Sequence, residues 1–360
     1  MRTRHGDAVA TTGGVIEGEF LTTTGGLALA NLQAQIEGQE RRARSGLLNV
    51  SDQAELIELV ALRGQVLGCI ADYEWAEGRA EQLTRDAPGD GVAFLARARA
   101  RATFHRFTDA LTDLERAQRL GADPAIVGAE QAAIFQAIGR YDEALPLFRE
   151  AAERRADFAS LGALAALHAE RGDVATAERL FDESRARYRS VTPFPLALLD
   201  FRRAQMWLRQ GDLRRARKWL SAAHRRLPGY APAQGHLAEV EAALGEPDSA
   251  IARLRPLTIS SDDPDYAGQL ARILSEVGRA AEARVWRDQA AARYDELVAR
   301  HLEAFADHAA EFWLDVGGDP DRARWLARRN LQVRQTPRAR ELLARATLAD
   351  DPCSGHSSRS

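Results

Sequence analysis

The sequence predicts an all-α protein built as a solenoid of repeated helix–turn–helix units, and three observations support this fold class. Alanine accounts for 68 of the 360 residues, and all but one of the 49 basic residues are arginine. Both are strong helix formers. Aromatic residues make up only 7% of the chain, which disfavours a β-sheet protein. A short glycine–alanine motif also recurs along the chain at nearly constant spacing, as repeat architectures require.

In this motif a glycine precedes an anchor alanine by five residues, and the glycines are Gly139, Gly172, Gly211, Gly245, Gly278 and Gly318. Two earlier copies, at residues 71–76 and 105–110, lack the glycine. The anchors, spaced by 34, 34, 33, 39, 34, 33 and 40 residues, are Ala76, Ala110, Ala144, Ala177, Ala216, Ala250, Ala283 and Ala323. Twelve residues before each anchor stands Gly64, Ala98, Ala132, Ala165, Ala204, Ala238 or Ala271, and only Glu311 breaks this column.

Each copy of the motif predicts two helices that pack against each other. The glycine suits the left-handed residue that ends the first helix, because it has no Cβ to clash there. The acidic or proline residues that follow suit the first turn of the second helix. The two columns of small residues predict where the helices approach most closely. Such a unit cannot bury its apolar face alone, so stacking of neighbouring units forms the core.

These residues and this spacing resemble the tetratricopeptide repeat family over about residues 57–337. The resemblance implies a right-handed superhelical α-solenoid with capping helices, and a non-enzymatic module that binds a peptide or helix of a partner protein in its concave groove. The family's Lys/Asn clamp for a peptide carboxylate is missing, since Lys218 is the only lysine. We therefore expect a protein–protein scaffold or adapter that does not bind chaperone tails.

We expect five segments along the chain. Residues 1–24 form a mobile N-terminal segment, 25–56 an N-terminal capping helix, 57–335 a solenoid of eight repeats, 336–349 a C-terminal capping helix and 350–360 a disordered tail. Two prolines in residues 191–195 predict a longer turn within the 39-residue step. The 40-residue step predicts helices that are extended by about two turns.

Composition narrows the class of protein. The formal net charge is −3 and the sequence pI is about 6.3, so nucleic acid is an unlikely partner. No apolar run is long enough for a membrane helix or a signal peptide, which predicts a cytoplasmic protein. The alanine- and arginine-rich composition is typical of high-GC bacterial coding. Two cysteines, Cys69 and Cys353, cannot build a disulfide framework or a cysteine zinc site.

The groove is the candidate binding site, because in this family the first helices of successive repeats line the inner face. Mapping that stripe onto the chain gives the candidate residues Gln65, Arg99, Glu130, Gln136, Glu170, Arg202, Gln205, His236, Glu239, Gln269, Arg272 and His308. The sequence contains no phosphate-binding loop, zinc-protease helix or nucleophile elbow, so we predict no catalytic residue, no enzyme activity and no cofactor.

Two alternative sites remain open. His301, His308 and Asp315 recur every seven residues with Glu311 beside them, so this stripe could hold a metal ion or a small molecule. Residues 202–226 carry nine positive charges against one negative charge, which suits an anionic partner. The sequence does not identify the partner, the pathway or the oligomeric state.

Overall fold

A computed structural model describes residues 22–349, and within this range the chain forms eighteen helices and no strand. Within the same range, no helix combines the length and the apolar character needed to cross a bilayer. In chain order the helices are α1 (Gly25–Arg44), α2 (Val50–Leu67), α3 (Ile70–Asp86), α4 (Gly91–Thr103), α5 (Phe107–Arg119), α6 (Pro124–Ile138), α7 (Tyr141–Arg154), α8 (Phe158–Glu170), α9 (Val174–Ala186), α10 (Phe194–Arg209), α11 (Leu213–Arg226), α12 (Ala231–Ala243), α13 (Pro247–Ser260), α14 (Pro264–Glu276), α15 (Ala280–Arg300), α16 (Leu302–Leu314), α17 (Pro320–Val333) and α18 (Pro337–Leu348).

Successive helices from α2 to α17 pack as eight antiparallel pairs, with α1 before them and α18 after them. All eight anchor alanines are at most 5% exposed, and the alanines twelve residues before them are at most 1% exposed. Gly64 occupies the same place in the first pair, where an added Cβ would lie 2.9 Å from the Cys69 carbonyl oxygen. The predicted solenoid fold is therefore confirmed, and its small residues lie where the helices cross.

The motif glycines end the first helix of their pairs with a positive φ, between 70° and 86°. Gly139 shows why no side chain fits at that turn: an added Cβ would lie 2.7 Å from the Gln335 carbonyl oxygen. In the second pair His105 takes the place of the glycine with a φ of 57°, and among the described residues it is the only non-glycine with positive φ. The first pair instead turns at Gly68.

The predicted irregularities in spacing have clear structural origins. α9 ends at Ala186 and α10 begins at Phe194, so the turn containing the two prolines is lengthened. α15 is 21 residues long, where α13 and α17 have 14. At the C-terminal end, the Thr336 side chain accepts a hydrogen bond from the Ala339 N–H and caps α18.

The N-terminal boundary differs from the expectation. α1 ends at Arg44 and α2 begins at Val50, so the first pair starts inside the range expected for the cap. The expected mobile segments lie outside the described residues, except for residues 22–24. There Thr23 bonds to the Val191 carbonyl and Thr24 caps α1.

The solenoid winds tightly enough for one superhelical turn to rest on the next. The turn inside pair one contacts the start of α14, where Asp262 Oδ1 accepts from the Ile70 N–H at 2.5 Å. In pair two the His105 Nδ1 lies 2.9 Å from the Glu303 carbonyl oxygen, beside the start of α16. In pair three the Ile138 carbonyl accepts from the Gln335 N–H at 3.0 Å. Each contact joins a pair to the first helix six units later, so about six pairs complete one turn.

Candidate partner-binding groove

The first helices of successive pairs line the inside of the superhelix and leave three connected cavities between α1 and α10. Cavity A, of about 890 Å³, lies against α6, α7, α8 and α10, with Arg334 at its border. Cavity B, of about 560 Å³, lies between α1, α2, α8 and α10, and cavity C, of about 470 Å³, lies against α2, α3 and α4. Arg202 lines both A and B, and Leu62 lines both B and C. The three cavities therefore form one continuous inner surface.

Seven of the twelve predicted groove residues line these cavities. Gln65 and Arg99 lie in cavity C, and cavity A contains Glu130, Gln136, Glu170, Arg202 and Gln205. The other five lie on the first helices α12, α14 and α16, outside the three cavities; they are His236, Glu239, Gln269, Arg272 and His308. All twelve predicted groove residues thus lie on first helices, although only seven of them border the three cavities.

Polar contacts join neighbouring first helices across this inner face. Arg99 pairs with Glu58 of α2 and, at 2.6 Å, with Glu130 of α6. The Gln136 amide donates to Glu170 Oε1 at 2.9 Å, and Arg272 pairs with Asp315 at 3.4 Å. Because these groups satisfy one another, they order the wall of the groove, and a ligand would have to compete with these existing bonds.

The His236–Glu239 pair on α12 is an acid–base couple among the predicted groove residues. Its Nδ1–Oε2 distance is 2.8 Å. Burial is the largest single effect and disfavours both charges, but the mutual hydrogen bond and the electrostatic attraction together outweigh it, so the pKa of His236 is raised and that of Glu239 is lowered. Each group therefore favours the charged form of the other.

Arg202 and Arg209 differ from the other charged groups of cavity A. Neither makes a hydrogen bond or an ion pair with any described residue, and both are exposed within the cavity. Surrounding protein lowers the pKa of Arg209, and the nearby Glu170 and Tyr141 oppose this shift. With Gln205 they occupy one stripe of α10 at spacings of three and four residues. Two guanidinium groups are thus available to a ligand.

Sequence reasoning placed Arg202 in the groove but counted Arg209 only within the Arg-rich segment. The seven-residue spacing between them could have placed Arg209 on the same face. Of the predicted groove residues, only Arg202 borders cavity B, so the sequence did not indicate this recess. Part of its wall comes from α1 and from the irregular segment at residues 191–195, and no repeat column marks either one.

Part of the Arg-rich segment at residues 202–226 is paired inside the protein, although six of its nine basic side chains are exposed. Arg203 is 5% exposed, pairs with Glu178 and Asp182 and stacks 4.0 Å from the Trp219 ring centroid. Arg217 pairs with Glu246 at 2.7 Å. The segment therefore combines buried ion pairs with exposed positive side chains, and of its basic residues Arg202 and Arg209 line cavity A.

The alternative stripe on and beside α16 is not assembled as a metal site. His301 stacks on Phe104 at 4.1 Å and bonds to Glu74, whereas Glu311 pairs with Arg338. Asp315 pairs with Arg272, and His308 lies nearest Asp307. Within residues 22–349, no three His, Cys, Asp or Glu side chains are grouped to hold a metal ion. The expectation of a shared site is corrected because each member of the stripe points to a different partner.

Comparison with known proteins identifies the repeat. A family model described as tetratricopeptide repeat matches residues 208–273. A search of the curated proteins gives no match.

Solved structures with the same fold include the human IFIT1 dimer with PPP-AAAA, at a TM-score of 0.54 and 17% identity over 85% of this chain and 74% of that chain. The human IFIT1 dimer with m7Gppp-AAAA gives a TM-score of 0.55 and 15% identity over 89% of this chain and 77% of that one. A chain of the APC/C hetero-tetramer Cut9–Hcn1 gives 0.50 and 13%, and the 89% of this chain that aligns spans 55% of that chain's length.

Proposed function

We propose that the chain is a non-enzymatic interaction module, because residues 208–273 match the tetratricopeptide repeat family model and the helices form the solenoid of that fold. It binds a peptide or helix of another protein against the inner face of its superhelix. The observation that carries this proposal is the continuous inner surface of cavities A, B and C, with Arg202 and Arg209 unpaired among the described residues. As an adapter, it would hold that partner without acting on it chemically.

The chemistry of the surface supports a protein ligand. Ligand cavities combine apolar walls with a few polar groups that fix orientation. Here the apolar walls of cavity B adjoin the amides and guanidinium groups of cavity A. The proposed contacts are the twelve inner-face residues together with Arg209. The Cut9–Hcn1 structure is an example of this fold within a protein assembly.

A second candidate is an anionic ligand held by Arg202 and Arg209 alone. Two unpaired arginines on one helix face favour it, since the guanidinium fork matches carboxylates and phosphates. The IFIT1 structures of this fold contain PPP-AAAA or m7Gppp-AAAA. The apolar area of cavity B favours the peptide, because a nucleotide chain would leave that area unused.

A matched pair of glycine substitutions tests the proposed function. Gly128 lines cavity A, whereas Gly78 is exposed on the second helix α3, and an added Cβ meets no atom within 4 Å at either position. Twelve-residue peptides would first be selected by phage display against the wild-type protein. We expect Gly128→Trp to weaken the selected peptides at least tenfold in isothermal titration calorimetry, because its ring fills the groove. Gly78→Trp should bind them like the wild type.

The proposal fails if Gly128→Trp binds these peptides as tightly as Gly78→Trp does, since the inner face would then not be the binding surface. It also fails if the wild-type protein selects no peptide while a 5′-triphosphorylated oligoadenylate binds and depends on Arg202. That result would establish the second candidate.

A further inference from the structure

Cavity B is an apolar recess beside the charged stripe of α10. Leu62, Phe158, Phe194 and Leu198 border it and are only half-buried. Its volume of about 560 Å³ falls within the range of sites that enclose a ligand. Half-buried leucine and phenylalanine side chains on a concave face gain free energy when an apolar group covers them. The recess is therefore suited to a large apolar side chain.

The walls of cavity B are tightly fixed by the way α1 crosses to the next superhelical turn. At Gly25 an added Cβ would lie 2.8 Å from the Arg226 carbonyl oxygen, and at Gly229 it would lie 2.7 Å from the Leu29 side chain. At Gly25 α1 thus approaches the backbone of the α11–α12 turn so closely that a larger residue would force the backbone to shift, whereas at Gly229 the Leu29 side chain would have to move. The recess is preformed, which lowers the entropic cost of filling it.

The polar groups around the recess follow a fixed order along α10. Arg202 lies at the border between cavities B and A, and Gln205 and Arg209 line cavity A. Seven residues of helix place Arg202 and Arg209 about 10 Å apart on one face. A ligand that leaves cavity B along α10 therefore meets a guanidinium, an amide and a second guanidinium.

The remaining ionised groups of cavity A already have partners. Arg154 pairs with Glu150, Arg155 with Asp157, Glu130 with Arg99 and Arg334 with Asp307, while Glu170 accepts from Gln136. Glu170 keeps its negative charge, because Gln136 is neutral, and it acts on Arg209 electrostatically. Arg202 and Arg209 are nevertheless the two cations of cavity A that form no ion pair, so the charge left over there is positive. A matching ligand carries two negative groups about 10 Å apart.

We propose that the partner segment is an extended acidic peptide with one large apolar anchor. The anchor enters cavity B, and two carboxylates three residues apart pair with Arg202 and Arg209. This motif rests on the proposed function. The spacing follows from the backbone, since an extended chain rises about 3.3 Å per residue and three residues span the distance between the arginines. A fatty acid has a tail and one carboxylate, so it leaves the second arginine unmatched.

Synthetic peptides test the motif. Two fluorescein-labelled decapeptides of glycine and serine serve as probes. The first contains one leucine, a glutamate two residues after it and a second glutamate three residues after the first glutamate. The second peptide has the same residues in reversed order. Binding is measured by fluorescence anisotropy at low salt. We expect one of the two peptides to bind the wild-type protein. Arg202→Glu should weaken the binding of that peptide at least tenfold. A peptide whose glutamate nearer the leucine is replaced by arginine should recover much of the lost affinity for the Arg202→Glu variant. Arg214→Glu, an equal charge change on the exposed face of α11, should leave binding within twofold.

Several results would overturn the motif. The motif would be wrong if neither peptide bound, or if a peptide with serine in place of the leucine bound equally well. It would also be wrong if Arg214→Glu weakened binding as much as Arg202→Glu does. Stronger Arg202-dependent binding of dodecanoate than of the peptide would identify a lipid-like occupant instead. If the display-selected peptides still lose affinity in Gly128→Trp, the proposed function stands and only the motif fails.

Discussion

At the scale of single residues, the fold depends on alanine, whose side chain is a single methyl group, at the helix crossings. Ala144 and Ala177 are fully buried where the two helices of a pair cross. No rotamer of a larger residue fits such a crossing unless the helices move apart. The same positions recur in every pair, which is why an alanine-rich chain can stack without bulky aromatic residues at each contact.

Ala144→Leu and Ala177→Leu test this point. We expect each to reduce the free energy of unfolding by roughly 1–3 kcal/mol, because the added carbons overpack the helix crossing. Urea denaturation followed by circular dichroism measures the change. Ala281→Leu, on the exposed side of α15, is the control and should lie within about 0.5 kcal/mol of the wild type. Wild-type stability in both buried variants would mean that the anchors do not set the helix spacing.

The residue scale also shows what the sequence could not predict about the site. The candidate groove residues could be assigned to the first helices because they recur with the period of the repeat. Arg203 looked like a surface charge beside Arg202, yet it is buried against Glu178 and Trp219. Neighbours on a helix differ by about 100° in direction, so charge density alone does not separate a buried ion pair from a free cation.

At the scale of elements, the ends of helices were the best-predicted features. A glycine with positive φ ends the first helix at each of the six predicted positions, and Thr336 and Pro337 begin α18 as their residue types require. The α4–α5 turn is the exception. His105 adopts the conformation of a glycine there, and its ring is held by the Glu303 carbonyl of the next superhelical turn.

This turn predicts a pH dependence. Burial lowers the pKa of His105 to about 4 from its ordinary 6.5, with Arg334 acting in the same direction and Asp307 opposing it. The folded protein therefore keeps a neutral ring where the unfolded chain would bind a proton. The stability from this group is complete above pH 6.5 and is lost as the pH falls from 6.5 towards 4.

His105→Asn measures that contribution, because asparagine tolerates positive φ and does not titrate. Between pH 7 and pH 4 we expect the wild type to lose about 2 kcal/mol more unfolding free energy than the variant does. Urea denaturation at a series of pH values gives both curves. Parallel curves would show that the ring is not held neutral at this turn.

At the scale of the whole molecule, the inner surface arises from the winding of the solenoid. Pairs one, two and three contact the starts of α14, α16 and α18, and α1 approaches the α11–α12 turn, so the superhelix encloses its own inner face. The sequence predicted the repeat and the face but not the pitch. The superhelical pitch is the sum of small rotations between successive pairs. The recurring small residues are nearly the same in every pair, so they do not indicate how large these rotations are. Cavity B and its junction with cavity A were therefore visible only in three dimensions.

The most direct test of the account asks whether a bound segment covers the inner face. In a background of Cys69→Ser and Cys353→Ser, single thiols are introduced by Gly128→Cys or Gly78→Cys, and their alkylation by a maleimide is timed with and without a saturating display-selected peptide. Binding along the inner face predicts that the peptide slows alkylation at position 128 at least tenfold and leaves position 78 unchanged. Unchanged alkylation at position 128, or protection at position 78, would contradict it.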